Sequence, residues 1–425
     1  MPYPQGMGPG AEPLVVDNGG IVVPKRFFLA LGAMLYGAVV PIVVVALMTR
    51  AYPLLAGVVH ALLFGSMSLA YGARSTKGAL VREGRLEISS EGISFRGELV
   101  ASRGELRQGF TVPTEEGLLL RFDRSFAVNP LFVRVPDRAT ADAALTTLGF
   151  DAKHTAARMR IASALLSMPV SQQTATILGP LLLLVPIALL LLAGLGPGAW
   201  PLAVAAFAAF ILYTFVIAFA PTTVLVGTDG FEHTWLGTRA FVPFANVTAV
   251  ETYKEWAGSK MQRGVRVTLD GAPPLKLPTG QSDVGDVEAA SLAARLTEAR
   301  RAYVEGGQGG QVASLRRGDQ DLRTWIAALR RLGDGAIDHR TSAVPLEALL
   351  RTVEDSSAAV ESRLGAAVAA TSGGDPYAVQ RVRVAAAATA SPRLRVALET
   401  VAALDPSEPE AEAALRKALE REALP

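Results

Sequence analysis

The chain has 425 residues, with 41 Lys and Arg against 39 Asp and Glu, a formal net charge of +2. Such a balance provides no global field to draw nucleic acid. The absence of cysteine excludes disulfides, thiolate metal sites and a cysteine nucleophile. The length allows roughly two to four folding units.

Residues 1–26 form the first predicted segment, a flexible tail rich in Pro and Gly that ends in Lys25-Arg26. Phe27–Met48 and Pro53–Tyr71 are long apolar runs joined around Thr49-Arg50-Ala51. Ile177–Leu195 and Trp200–Phe219 form a second pair, joined by Gly196-Pro197-Gly198-Ala199. About 20 apolar residues in a helix span a bilayer core. The expectation is therefore a multi-domain membrane protein with four transmembrane helices in two hairpins, at 27–73 and 176–221. A kink is expected at Pro41, which lacks the backbone donor. His60 within the second run reads as a neutral imidazole hydrogen-bonded inside the bundle.

Basic residues flank the runs at Lys25, Arg26, Arg74, Lys77, Arg158 and Arg160, whereas the two turns hold only Arg50. By the positive-inside rule both turns face outward. That expectation places the chain in the bacterial inner (cytoplasmic) membrane as a multi-pass protein, with both termini in the cytoplasm.

Residues 78–150 read as antiparallel strands followed by one helix. Leu86–Ser90 alternates, Glu91-Gly92 turns, and Ile93–Phe95 alternates again, which is a hairpin signal. Strands are also predicted at Leu118–Phe122 and Leu131–Val135, and a helix over Thr140–Leu148 ends at Gly149. Residues 151–175 are read as a juxtamembrane connector. Residues 222–305 repeat the order. Val226-Gly-Thr-Asp-Gly-Phe231 aligns with Ile88-Ser-Ser-Glu-Gly-Ile93, and a helix is predicted from Asp283 to Val304. Such an internal repeat implies duplication of one unit.

A membrane hairpin, a strand, an acidic-Gly turn, a strand, and then Phe241-Val-Pro-Phe-Ala-Asn-Val-Thr-Ala-Val-Glu251 resembles the bacterial pleckstrin-homology-like membrane proteins. The resemblance implies PH-like modules: about seven strands in a small sandwich or partly open barrel, plugged by a C-terminal helix. It implies no particular activity, because the fold hosts lipid, peptide and protein binding alike.

Residues 306–313 form a Gly-rich linker, and 314–425 read as an all-α domain. Leu322, Trp325, Ile326, Leu329 and Leu332 make one apolar stripe, and Leu346, Leu349, Leu350 and Val353 another. Arg363-Leu-Gly-Ala-Ala, Arg383-Val-Ala-Ala and Arg395-Val-Ala-Leu faintly resemble HEAT-type helical repeats.

No P-loop, HExxH, GxSxG or kinase motif occurs, so no catalytic residue, cofactor or metal site is expected. The four histidines have no ligand spacing. Glu354-Asp355 reads as a solvated or capping pair rather than a general acid and base. One basic loop is a candidate for anionic ligands: Lys254, Trp256, Lys260, Arg263 and Arg266, beside Tyr253. The expected function is a non-enzymatic inner-membrane scaffold that presents its modules to a protein partner or anionic membrane lipid, with no nucleic acid. The alternative is an accessory subunit of a membrane transport or export complex.

Overall fold

The computed structural model of the chain describes residues 13–49, 79–114, 117–125, 130–150, 155–168, 220–257, 260–281, 283–306, 315–333 and 344–403, with isolated helical positions at 57–72, 172–176, 213–217 and 413.

The first module is a seven-stranded antiparallel sheet. Its strands are β1 (Leu14–Val22), β2 (Val81–Ser89), β3 (Gly92–Phe95), β4 (Glu98–Ser102), β5 (Leu106–Thr114), β6 (Gly117–Arg124) and β7 (Leu131–Val135). They lie in the order β4-β3-β2-β1-β7-β6-β5. Most of the described part of the predicted N-terminal tail is therefore a central strand. Its two glycines are the reason. A Cβ on Gly19 would lie 2.7 Å from Leu86 Cβ, and one on Gly20 2.6 Å from Val81 Cγ1. The composition that suggests a tail is what lets β1 approach β2 closely. A helix, Arg138–Thr147, closes the sheet. Asp137 caps it by accepting from Thr140 N at 2.8 Å. Its Ala141, Ala144 and Leu145 pack on Leu86, Ile88, Leu120, Phe122 and Val133.

The second module holds β8 (Ala157–Ile161), β9 (Thr222–Val226), β10 (Gly230–Trp235) and β11 (Thr238–Pro243) in one sheet. A second sheet holds β12 (Val247–Ala257), β13 (Lys260–Leu269) and β14 (Ala272–Gly280). The predicted connector at 151–175 thus contains β8, which pairs with β9.

The two modules share their local construction. Ile88 faces Ile93 across the first hairpin, and Val226 faces Phe231 across the second. After each acidic-Gly turn the next hairpin turns through two positive-φ residues, Arg96-Gly97 and Leu236-Gly237. A single 3-10 turn follows in both, at Arg103–Glu105 and Phe244–Asn246. Arg103 N donates to Glu91 O at 2.7 Å, and Phe244 N to Asp229 O at 3.0 Å. Both turn glycines are required by close approach. A Cβ on Gly92 would lie 2.2 Å from Ala101 O, and one on Gly230 2.3 Å from Val242 O. The modules differ at the first strand: β1 pairs with β7, whereas among the described residues β8 has only β9 as a ladder partner.

The helix Asp283–Gly306 closes the second module and joins it to the first. Its Leu292, Leu296 and Ala299 share one buried cluster with Val224, Phe231, Val265 and Val267 and with Phe110, Val112 and Phe132 of the first sheet. At the junction Gln108 imitates a paired strand: its Nε2 donates to Arg158 O at 2.6 Å, and its Oε1 accepts from Arg158 N at 2.8 Å.

Five further helices form a layer with its own core: Leu322–Gly333, Leu346–Glu354, Val360–Ser372, Pro376–Ala388 and Pro392–Ala403. Trp325, Leu329, Leu350, Leu364, Val368, Val382 and Leu398 fill it.

The four-span membrane architecture is corrected. Among the described residues no helix is long and apolar enough to cross a membrane. The helix Arg26–Met48 occupies the first apolar run, with Pro41 removing a backbone donor within it. It packs against a returning segment, where Lys25 Nζ donates to Tyr71 OH at 3.1 Å, and it leaves Phe27, Met34, Val40 and Met48 exposed. The second run is described only at isolated positions. Most of the third and fourth runs, and His60, lie outside the described residues. With no such helix among the described residues, the multi-pass inner-membrane placement and the topology read from it are not supported.

The carbonyl approach at both turns yields a paired prediction. Gly92→Ala and Gly230→Ala should each lower the melting temperature by several degrees, whereas Gly104→Ala, with nothing within 4 Å of its added Cβ, should not. Differential scanning calorimetry of the three variants checks this, and equal melting temperatures would remove the shared constraint.

Candidate functional site

The five residues predicted on a basic loop lie on paired strands instead. Lys254 and Trp256 belong to β12, and Lys260, Arg263 and Arg266 to β13. The register sets Lys254 opposite Arg263 and Trp256 opposite Met261. Acidic side chains meet most of these charges. Asp286 lies 3.2 Å from Lys254 Nζ and 3.1 Å from Arg263 Nε. Glu255 accepts from Arg266 and, at 2.6 Å, from Lys276. The hydrogen bond from Lys276, ahead of the attraction of its charge and that of Arg266, holds the Glu255 carboxyl below its ordinary range. Behind this collar Tyr253 is buried, which together with Glu255 pushes its phenol up to about 12. Trp256 stands 70% exposed. The hairpin therefore offers an exposed aromatic side chain beside cations that share the carboxylates of Asp286 and Glu255.

The remaining basic candidates are dispersed. Lys25 holds Tyr71, Arg26 begins the first helix, and Arg158 and Arg160 are exposed on β8. Arg74 and Lys77 lie outside the described residues. Glu354 forms a two-pronged ion pair with Arg381, with both contacts at 2.6 Å, and Asp355 accepts from Ser357 N at 3.0 Å.

A second site, not apparent in the sequence, forms where the second module meets the helical layer. Asp229 stands in the β9–β10 turn. Its Oδ1 accepts from Ala390 N at 2.7 Å and its Oδ2 from Ser391 N at 3.1 Å. These amides lead into the helix Pro392–Ala403, so the carboxylate sits at a helix N-terminus, where backbone donors and the helix dipole favour an anion. Thr228 N adds a bond to Ala388 O at 3.0 Å. A Cβ on Gly227 would lie 2.4 Å from Ala390 N, so only glycine permits this approach.

Beside this junction is a cleft of about 580 Å³, lined by Arg239, Arg363, Arg393, Glu232, Tyr303 and the segment 356–360, among others. Arg363 is 1% exposed. Its Nε donates to Val353 O at 3.0 Å and its Nη2 to Thr389 Oγ1 at 3.4 Å, while Nη1 has no hydrogen-bond partner among the described residues. Burial lowers its pKa, against the opposing attraction of Asp229 and Asp355. Glu232 is also buried, with Arg239 and Arg395 each 4.0 Å away. The helix Val360–Ser372 opens at the cleft with Ala359 in the cap position, and no side chain caps it.

Among the described residues no group of His, Asp or Glu side chains is placed to hold a metal ion. No family model, no curated protein and no solved structure matches the chain.

Two expected outcomes test the junction. Asp229→Ala removes the acceptor of two buried amides and should destabilise the protein by about 1–3 kcal/mol. It should also speed proteolysis of the helical layer, and an unchanged denaturation midpoint and cleavage rate would show the contact to be idle. His233, on β10, has its pKa lowered by burial, partly offset by Glu232. Its unfolded form binds a proton more readily than its native form, so its contribution is fully present above the ordinary histidine pKa of about 6.5. The contribution is lost as pH falls from there toward the lower native value. The melting temperature should therefore drop on acidification across that window, and His233→Phe should flatten the drop.

Proposed function

We propose that the chain is a non-enzymatic binding scaffold whose β12–β13 hairpin docks a protein partner. The observation that carries this reading is Trp256, a large aromatic side chain left 70% exposed on a paired strand. Exposed Trp flanked by Arg and Lys has the composition of interface hot spots. The charge pairs through Glu255 and Asp286 hold the hairpin's side chains in place, so little ordering entropy is lost on docking. They also engage side chains that an anionic lipid surface would need, which favours a protein over a membrane.

Quantitative cross-linking of the full chain in cell extract tests the reading. A partner should be cross-linked through Lys254, and Trp256→Ala should weaken its capture by on the order of 2 kcal/mol, about thirtyfold. Capture should depend only weakly on salt. Equal recovery by both proteins would exclude the hairpin as the docking surface, and strong salt sensitivity with retention on anionic vesicles would return the site to lipid.

A further inference from the structure

The seam cleft carries chemistry that the hairpin does not. Three features converge there. Arg363 lines the cleft, is buried, and has no hydrogen-bond partner for its Nη1 among the described residues. A buried donor without an acceptor is costly, and a buried cation more so. The helix Val360–Ser372 begins at the same wall without a side-chain cap, so its first amides have no side-chain acceptor. Arg239 and Arg393 line the open side, with Arg239 66% exposed.

Two neighbouring carboxylates, Asp229 and Asp355, are held by other donors, whereas the buried Glu232 Oε1 has no hydrogen-bond partner among the described residues. Asp229 accepts from Ala390 and Ser391, and Asp355 from the backbone and hydroxyl of Ser357. Glu232 stands between Arg239 and Arg395. Among the described residues the Arg363 Nη1 is thus left without an acceptor beside the cleft.

We propose that this cleft binds an oxyanion carried by a small molecule, a phosphate or a carboxylate, between Arg363 Nη1 and the N-terminus of the helix Val360–Ser372. The arrangement supplies what such a group needs: a guanidinium held by Val353 O and Thr389 Oγ1, and backbone amides at a positive helix end. Arg239 and Arg393 at the mouth then serve as outer contacts. The site is separate from the β12–β13 hairpin and does not depend on that surface docking a partner.

Isothermal titration of the full chain tests the proposal, with inorganic phosphate and acetate as probes and chloride at matched ionic strength as the reference. One or both probes should bind saturably at one site, and the preferred probe identifies the oxyanion class. Arg363→Met should weaken binding at least tenfold. If that variant fails to fold, the double variant Arg239→Ala/Arg393→Ala, altered only at the mouth, decides: its dissociation constant should rise three- to tenfold with circular dichroism unchanged. The hairpin variant Lys254→Ala/Trp256→Ala should bind as the unaltered chain does. Heats no larger than those of chloride, an unchanged constant in the double variant, or loss of binding in the hairpin variant would each overturn the proposal.

Discussion

The contact on which the assembly turns is the Asp229 carboxylate accepting two backbone amides of the helical layer. One residue serves two structures. Within its own module Asp229 precedes Gly230 in the turn between β9 and β10, and its carbonyl accepts from the 3-10 turn at Phe244. Its side chain leaves the sheet and caps the approach to the helix Pro392–Ala403. A helix start buried against another element needs partners for its free amides, and here another module provides them. The corresponding position in the first module is Glu91, whose carbonyl accepts from Arg103. The same turn thus supports a sheet in both modules and joins the helical layer in one.

Around this contact the molecule separates two electrostatic settings. Around the β12–β13 hairpin, Lys254, Arg263, Arg266 and Lys276 share the carboxylates of Asp286 and Glu255 at the surface, where solvent weakens each pair. In the seam cleft, Arg363 is removed from water and its charge is only partly answered by Asp229 and Asp355. The exposed hairpin is suited to a partner that covers Trp256, and the cleft to a ligand that supplies a missing acceptor. The helix Asp283–Gly306 has its apolar face buried against all three sheets at once.

The apolar runs show where composition misleads. Their length and lack of charge fit a bilayer span, yet among the described residues no helix is long and apolar enough to cross one. The Gly-rich opening misled in the opposite direction. Gly19 and Gly20 read as a flexible tail but serve the close approach of β1 to Leu86 and Val81.

What the sequence determined by itself was local. The alternation on either side of Glu91-Gly92 and Asp229-Gly230 specified two hairpins, because side-chain direction in a strand repeats every two residues. The stripe from Leu322 to Leu329 specified a helix that buries Trp325, because residues three and four apart share a helix face. Tertiary structure decided the rest. β1 and β8 find their partners about 60 residues away in sequence, across an intervening segment that carries no pairing signal of its own. The basic residues of the hairpin were visible, but Asp286, which answers two of them, comes from the following helix. Arg363 was visible as the start of an Arg-Leu-Gly-Ala-Ala run, but its burial, its unpartnered nitrogen and its neighbour Asp229 were not. Hydrogen-bond patterns within a turn or a helix are written in adjacent residues, whereas charge compensation and burial depend on groups that only folding brings together.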